Sequence, residues 1–402
     1  MPSFEEARTI VLDHVSALRS EHVPLLDAVG RVLAEDVASP FDFPAWDNSA
    51  MDGYAVRAAD VAAGAPLPLS GYAPAGAVGA EPLAPGTATR ILTGAPLPAG
   101  ADSVVPFENA DEEAGSVRAR GPVRRGANVR RRGEDLRAGE LAIRAGTVIG
   151  LPEVSWLAAA SRLVVPVHRR PRVAILSTGD ELVPPGEPLG PAKIHDSNSL
   201  TVAAAVRQAG GEPILLGIAK DDREALRERL VEGLRADVLV TTAGVSMGDR
   251  DYVREVLADL EVRQVFWKVE IKPGRPTAFA VRGTTPVFSL PGNPVSTILT
   301  FEQFVRPALL KLAGRRTVLR PVVRAIFQEE LRHAPGRVGF IRVRLERRGD
   351  ALLAWSAGNQ DTGMLKTMLR ADAIAIVPAD QGDLRPGTPI DVQIVAGDLA
   401  LP

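Results

Sequence analysis

The chain has 402 residues, 46% of them apolar and 24% charged, with a formal net charge of -2. That composition belongs to a globular protein with material for roughly two to four domains. Its charge provides no overall field for nucleic acid or an anionic membrane, so any anion site is local. There is no cysteine, which excludes disulfides, thiolate metal sites and a catalytic thiol, and leaves thiols only to a ligand.

The chain opens on M-P-S-F-E-E-A-R, acidic rather than basic, with no signal-like apolar region after it. No apolar run reaches the ~18 residues of a membrane span, so a cytoplasmic protein is expected. Phe4, Ala7, Ile10, Val11, Val15 and Leu18 recur at helical spacing behind Ser3 as N-cap, with Glu5 and Glu6 in the first turn. A short helical segment is expected around Leu25 to Leu33.

From about Ala38 to Gly139 the sequence is dense in Gly, Pro and Ala, with short runs between turn signals, which predicts a small, mostly β domain. Three stretches in it carry chemistry. Asp47 to Ala55, D-N-S-A-M-D-G-Y-A, flanks a Gly with Asp47 and Asp52. Thr93-Gly94-Ala95-Pro96 is followed by Glu108 and Asn109. Arg130-Arg131-Arg132-Gly133-Glu134-Asp135 sets three guanidiniums beside two carboxylates. The acidic residues read either as Asx-type turn formers or as oxygen ligands for a hard cation. The arginines read either as a solvated basic turn or as an oxyanion site, since a guanidinium fork suits phosphate.

An Ala-rich helix near Pro152 to Ser161 and a short strand return the chain to Arg170-Pro171. A β-α-β-α-β pattern follows: strand 172–177, helix 199–209, strand 213–218, helix 222–235, strand 237–242. This predicts a mainly parallel sheet covered by helices on both faces. In such sheets ligands bind beyond the carboxyl ends of the strands, and the polar residues collect there. After the first strand come Ser177, Thr178, Gly179, Asp180 and Glu181, then His195-Asp196-Ser197-Asn198. Asp221 and Asp222 follow the second, where Asp222 also suits a helix cap. The third runs into T-T-A-G-V-S-M-G-D-R-D-Y, in which Gly244, Ser246 and Gly248 can bring amides close to an anion and Asp249 and Asp251 follow.

Val262 to Ile271 reads as a strand with Lys268, Glu270 and Lys272 on one face, a face that must meet solvent or a ligand. Two of the six lysines among 47 basic residues are placed there. Ser289-Leu290-Pro291-Gly292-Asn293-Pro294 then joins a strand to a long helix ending near Ala313. Asn293 is expected to cap it, with Pro294 at its first position and first-turn amides open to an oxyanion. Beyond Arg320, V-V-R-A-I-F, G-F-I-R-V-R-L and A-I-A-I-V-P predict a last, small β domain. The division expected is 1–37 with 140–170, an insertion at 38–139, a central α/β domain at 171–318 and a C-terminal β domain at 319–402.

Taken in order, D-N-S-A-M-D-G-Y-A, T-G-A-P, R-R-R-G-E-D, S-T-G-D-E, G-V-S-M-G-D-x-D-Y, K-P-G-R-P and S-L-P-G-N-P resemble the molybdopterin molybdenumtransferase family, that of MoeA and the gephyrin E domain. Each motif is weak alone, but their ordered set is specific. The resemblance implies a four-domain subunit with a doubly wound three-layer central domain, in a homodimer whose cleft is shared between subunits. It implies Mg²⁺-dependent release of AMP from adenylylated molybdopterin and transfer of molybdenum from molybdate to the pterin dithiolene. By motif position, Glu181, Asp52, Asp135 and Thr93 match catalytic positions, and Asp221, Asp222, Asp251 and Glu181 match cation ligands. Lys268, Lys272, Ser289, Pro291, Gly292, Asn293 and Pro294, with Arg130 and Arg131, match the anion-facing part of the site. Partners implied are a molybdopterin adenylyltransferase and acceptor molybdoenzymes or their chaperones.

Three departures bear on ligand contact. Ala243 replaces a usual glycine, Arg275 a frequent lysine and His195 a usual aromatic. Two rival readings remain: the single-domain adenylyltransferase of the pathway, which would lack the Asp52 block and the C-terminal domain, and a non-catalytic molybdopterin carrier or scaffold.

Overall fold

The computed structural model describes residues 1–76, 81–220, 222–243 and 252–395. Asp221, Gly244, Ser246, Gly248, Asp249 and Asp251, singled out above, lie outside the described residues. The chain forms two compact units. The larger comprises Met1–Ala34, Gly146–Leu151 and Val164–Pro402, and the smaller Glu35–Ala145 and Pro152–Leu163.

The larger unit begins with helix α1 (Phe4–Asp13). Its start is fixed by a capping box in which Ser3 Oγ accepts from the Glu6 amide at 3.2 Å and Glu6 Oε2 accepts from the Ser3 amide at 2.9 Å. Phe4, Ala7 and Val11 form its buried face, and Phe4 meets Phe304 and Phe340 edge to face at 5.9 and 5.2 Å.

The central sheet contains β1 (Arg172–Thr178), β2 (Glu212–Ala219), β3 (Val238–Thr242), β4 (Arg263–Phe266), β6 (Ala278–Arg282) and β7 (Thr285–Leu290). Strand β5 (Ile271–Lys272) lies between β4 and β6 in the chain but belongs elsewhere. The order is β2-β1-β3-β7-β6-β4. The first four are parallel; β6 runs antiparallel to β7, and β4 antiparallel to β6.

Side chains alternate across β1, so Val173 and Ile175 enter one core while Ala174 and Leu176 enter another. Helix α2 (Ser197–Gln208) packs in the first core, and α3 (Arg223–Gly233) with α4 (Tyr252–Asp259) in the second. Apolar layers on both faces explain why these strands read as nearly continuous hydrophobic runs. Helix α5 (Pro294–Thr300) continues through a π-type turn at Phe301–Val305 into α6 (Arg306–Leu312), giving the long helix expected from the sequence.

The expected strand Val262 to Ile271 is instead two pieces in two sheets. Pairing ends at Phe266, and β5 joins the C-terminal domain parallel to β9 (Val338–Arg348), with Lys272 opposite Gly339. The alternating pattern conceals the break because both pieces keep a two-residue period. That last sheet adds β8 (Val322–Phe327), β10 (Ala351–Ser356), β11 (Ala373–Val377) and β12 (Thr388–Ile394). Its order is β5-β9-β10-β8-β12-β11, and a β9–β11 pairing closes it into a small barrel.

The smaller unit is built on a six-stranded sheet, in order Ser103–Pro106, Gly53–Val56, Ala88–Ile91, Leu67–Ala73, Ser116–Ala119 and Ala110–Glu113. Gly53 must be glycine, since a Cβ there would overlap the Val105 carbonyl oxygen on the next strand. Val129–Arg130 pairs with Asn48–Ser49, bringing the arginine run beside the first acidic motif.

Candidate active site

Buried strands of the central sheet end in short polar loops. At the end of β1, Ser177 and Thr178 are buried; Ser177 Oγ and Thr242 Oγ1 are 2.9 Å apart, tying β1 to β3. Gly179 follows at φ +142°, and a Cβ there would lie 2.5 Å from Glu181 Oε2 and 2.7 Å from Oε1. The glycine therefore provides both the backbone conformation and the space in which the Glu181 carboxylate lies.

The next residues are held by a two-residue parallel pairing, Leu182–Val183 with Ile194–His195. The Ile194 amide donates to the Glu181 carbonyl and the Asp196 amide to that of Val183, each at 2.9 Å. Asp196 is buried and caps α2, accepting from the Ser199 amide at 3.1 Å. His195 Nε2 is 2.9 Å from the Glu187 carbonyl. A carbonyl only accepts, so Nε2 carries the hydrogen.

These loops form one wall of a cleft of about 400 Å³. Thr242 at the end of β3, Ala243 after it, Pro276, and Pro291 to Pro294 after β7 complete it. Asn198 Nδ2 donates to the Gly292 carbonyl across it at 2.7 Å. Ala243 has φ +71°, a left-handed conformation that costs an L-residue roughly 1–2 kcal/mol. Its Cβ faces Gly292, where a Cβ would come within 3.3 Å. The extra methyl is thus accommodated by a glycine on the opposite loop.

Asn293 occupies the N-cap position of α5 but makes no side-chain cap bond. Its Nδ2 donates instead to Thr362 Oγ1 of the C-terminal domain at 3.0 Å. The loop presenting Thr362 is set by the fully buried Arg342, whose Nη2 donates to the carbonyls of Asn359 and Asp361 at 3.0 Å each.

The cleft gathers Glu181, Pro291, Gly292, Asn293 and Pro294 from the expected residues. Ser177, Thr178 and Ser289 are buried in the strand ends behind it, and Asp180 is exposed beside Gly179. Lys268 lies in the bend between β4 and β5 and Lys272 is exposed on β5; neither lines the cleft, which the Lys272–Pro276 turn reaches through Pro276. Asp222 caps α3, accepting from the Ala225 amide at 2.9 Å. Among the described residues no three His, Asp or Glu side chains gather as a metal cluster. Ile194 and Leu182 are lining residues that the sequence does not mark, because two-residue strands leave no periodic signal.

In the smaller unit the acidic and basic motifs bind one another. Asp52 accepts from the Thr93 amide and hydroxyl at 2.7 and 2.8 Å. Asp47 accepts from Arg131 Nη1 at 2.6 Å and the Arg132 amide at 2.8 Å, and Asp42 from Arg132 Nε and the Ala138 amide at 2.6 and 2.8 Å. These bonds lower all three carboxyl pKa values, led in each case by the backbone amide: Ala138 for Asp42, Arg132 for Asp47 and Thr93 for Asp52. Asp135 and Arg130 are exposed on the same segment. The cluster is chiefly loop scaffolding, and among the described residues the side chains of Asp135 and Arg130 make no hydrogen bond or ion pair.

A doubly wound sheet with a polar cleft at its strand ends, followed by a small β barrel, defines a multidomain α/β ligand-binding protein. Three family models match the chain: "MoeA N-terminal region (domain I and II)" over residues 2–161, "Probable molybdopterin binding domain" over 174–311 and "MoeA C-terminal region (domain IV)" over 324–395. Molybdopterin molybdenumtransferase 2 of Mycobacterium tuberculosis is 37% identical over 406 residues, covering 98% of this chain and 99% of the relative. Molybdopterin molybdenumtransferase of a Nostoc species is 40% identical over 394 residues, covering 94% and 90%. The crystal structure of the molybdopterin biosynthesis MoeA protein from Pyrococcus horikoshii superposes with a TM-score of 0.85 at 32% identity, covering 98% of this chain and 99% of that one. The chain belongs to the molybdopterin molybdenumtransferase family, enzymes of molybdenum cofactor biosynthesis. Among the described residues no helix is long and apolar enough to cross a membrane.

Proposed function

We propose that this chain takes adenylylated molybdopterin, releases AMP in a Mg²⁺-dependent step, and transfers molybdenum from molybdate to the pterin dithiolene. The observation that carries the reading is Glu181. Its carboxylate stands exposed at the edge of the cleft with no hydrogen bond or ion pair among the described residues, while Asp196 beside it is consumed as a cap. A chain without cysteine suits this chemistry because both sulfurs come from the pterin.

Mg²⁺ is commonly held by one or two carboxylates together with substrate phosphates. Glu181 fits that open arrangement, Asp222 has one carboxylate oxygen beyond its cap bond, and Asp221 and Asp251 complete the proposed ligand set. Mg²⁺ bound there would offset charge developing on the phosphoanhydride oxygens as AMP leaves. Glu181 orients the attacking water, and Asn198, fixed to Gly292, keeps the two loops at their spacing. Lys272 and Arg275, both exposed, offer cations to phosphate and molybdate.

The proposal includes a homodimer in which Asp52, Thr93 and Asp135 serve the cleft of the partner subunit. It also places the chain between an adenylyltransferase that supplies the substrate and molybdoenzymes, or their chaperones, that receive the product. The test is AMP release from adenylylated molybdopterin with Mg²⁺, with and without molybdate, together with the molybdenum content of the pterin. Molybdate-dependent release with molybdenum in the product is expected. Tight pterin binding without release would replace the reading by a carrier or scaffold.

A further inference from the structure

Helix α2 begins at the cleft and ends, ~18 Å away at ~1.5 Å per residue, in a second cavity of about 280 Å³. Four arginines from separate stretches line it: Arg31, Arg170, Arg207 in the last turn of α2, and Arg315 beyond α6. His168 lines it too, and among the described residues no carboxylate does.

Arg31 forms the closed side. Its side chain is only 9% exposed, pairs with Glu21 and donates to the His168 carbonyl at 2.8 Å, so its charge is matched. The His168 ring is fixed by a 2.8 Å bond between Nδ1 and the Leu18 carbonyl and by Gly314, where a Cβ would overlap it. The side chains of Arg170, Arg207 and Arg315 make no hydrogen bond or ion pair among the described residues.

Arg207 alone would pass as the usual cation at a helix C-terminus. Arg170 precedes β1 and Arg31 follows a short 3-10 turn, so the helix end does not account for the set. The nearby amides are already used: Gly30 on the Ile149 carbonyl at 2.8 Å, and Gly210 on Arg207 and Arg315 on Leu310 at 2.9 Å each. The guanidiniums, with the Gln208 side-chain amide and His168 Nε2, are left to recognise a ligand, and the planar forks match the oxygens of a phosphate.

We propose that this cavity is a second anion site, separate from the cleft, that takes a small phosphate monoester. Its volume suits a phosphate with a sugar-sized substituent and falls short of a whole nucleotide cofactor. The site does not depend on the reaction assigned to the cleft.

The test is isothermal titration of the full chain with inorganic phosphate and with ribose 5-phosphate. It compares the natural protein, the double variant Arg170→Ala/Arg315→Ala, Arg207→Gln, and Lys272→Ala as a control for the anion contact proposed near the cleft. Saturable binding is expected, weakened about tenfold or more in the double variant and less in Arg207→Gln, and unchanged in Lys272→Ala. Tighter binding of the ester than of inorganic phosphate supports the monoester; equal binding removes the sugar-sized part. Turnover without added phosphate stays unchanged in both arginine variants. Binding lost in Lys272→Ala but kept in the double variant would overturn the site, as would no saturation by about 10 mM. A change of oligomeric state in the double variant without phosphate binding would overturn it too, making the arginines a subunit contact.

Discussion

Asp47 and Asp42 each take two donors from the segment Arg131 to Ala138, and Asp52 takes two from Thr93. Glu181, at the end of a central strand, takes none among the described residues. Both regions are acidic, Gly-containing loops, and both look functional in the sequence. In the smaller unit the carboxylates have already been used to shape the loops. In the larger unit the sheet shapes the loops through backbone pairing, which leaves a carboxylate open to a ligand. A charged motif is therefore informative about chemistry in proportion to what the backbone around it has already satisfied.

The largest effect is expected where the carboxylate is uncommitted. Glu181→Gln should lower turnover by about 10²-fold or more while leaving the thermal transition unchanged; a matched loss of both would place Glu181 with the scaffolding carboxylates. Gly179→Ala should lower turnover by roughly tenfold to a hundredfold, because its Cβ would occupy the space of the Glu181 carboxylate. Single-turnover rates on folded protein read that effect.

In the smaller unit the same kind of change should act on stability. Gly53→Ala places a Cβ onto the Val105 carbonyl oxygen and should cost about 3 kcal/mol or more in chemical denaturation. An unchanged midpoint would show that the first acidic motif is looser than its strand pairing.

The smallest effect concerns a committed carboxylate in the larger unit. Asp237 takes both nitrogens of the Arg169 fork at 2.7 Å and the Arg172 amide at 2.8 Å. Burial raises its pKa, but the Arg169 bonds and the Arg172 amide together outweigh that, so the net direction is down. A depressed folded pKa adds stability above the unfolded value of about 3.9, and that stability is lost as pH falls through the folded one. Asp237→Asn should therefore melt below the natural protein at pH 7, with the gap closing below about pH 4.

Much of the larger unit was legible from the chain. Val173 to Leu176 reads as a buried strand because both of its faces are covered, and Ser3 as N-cap with Glu5 and Glu6 behind it marks the first helix, where the structure completes a capping box. The change of sheet between Phe266 and Ile271 was not legible, since an alternating pattern is the same whichever sheet accepts its hydrogen bonds. Asn293 carried a cap signal, yet its side chain goes to Thr362, a partner 69 residues away. The Arg131–Asp47 and Arg132–Asp42 pairs span 84 and 90 residues, so the sequence shows the charges without showing that they neutralise each other.

We propose that AMP leaves the adenylylated pterin at the cleft beside Glu181. This is tested most directly by following AMP release in a single turnover, with Mg²⁺ and molybdate, in the natural protein and in Glu181→Gln side by side. Release by the natural protein and almost none by the variant is expected, with the pterin still bound to both. Equal release by the two would contradict the proposal and remove Glu181, and the cleft it borders, from the reaction.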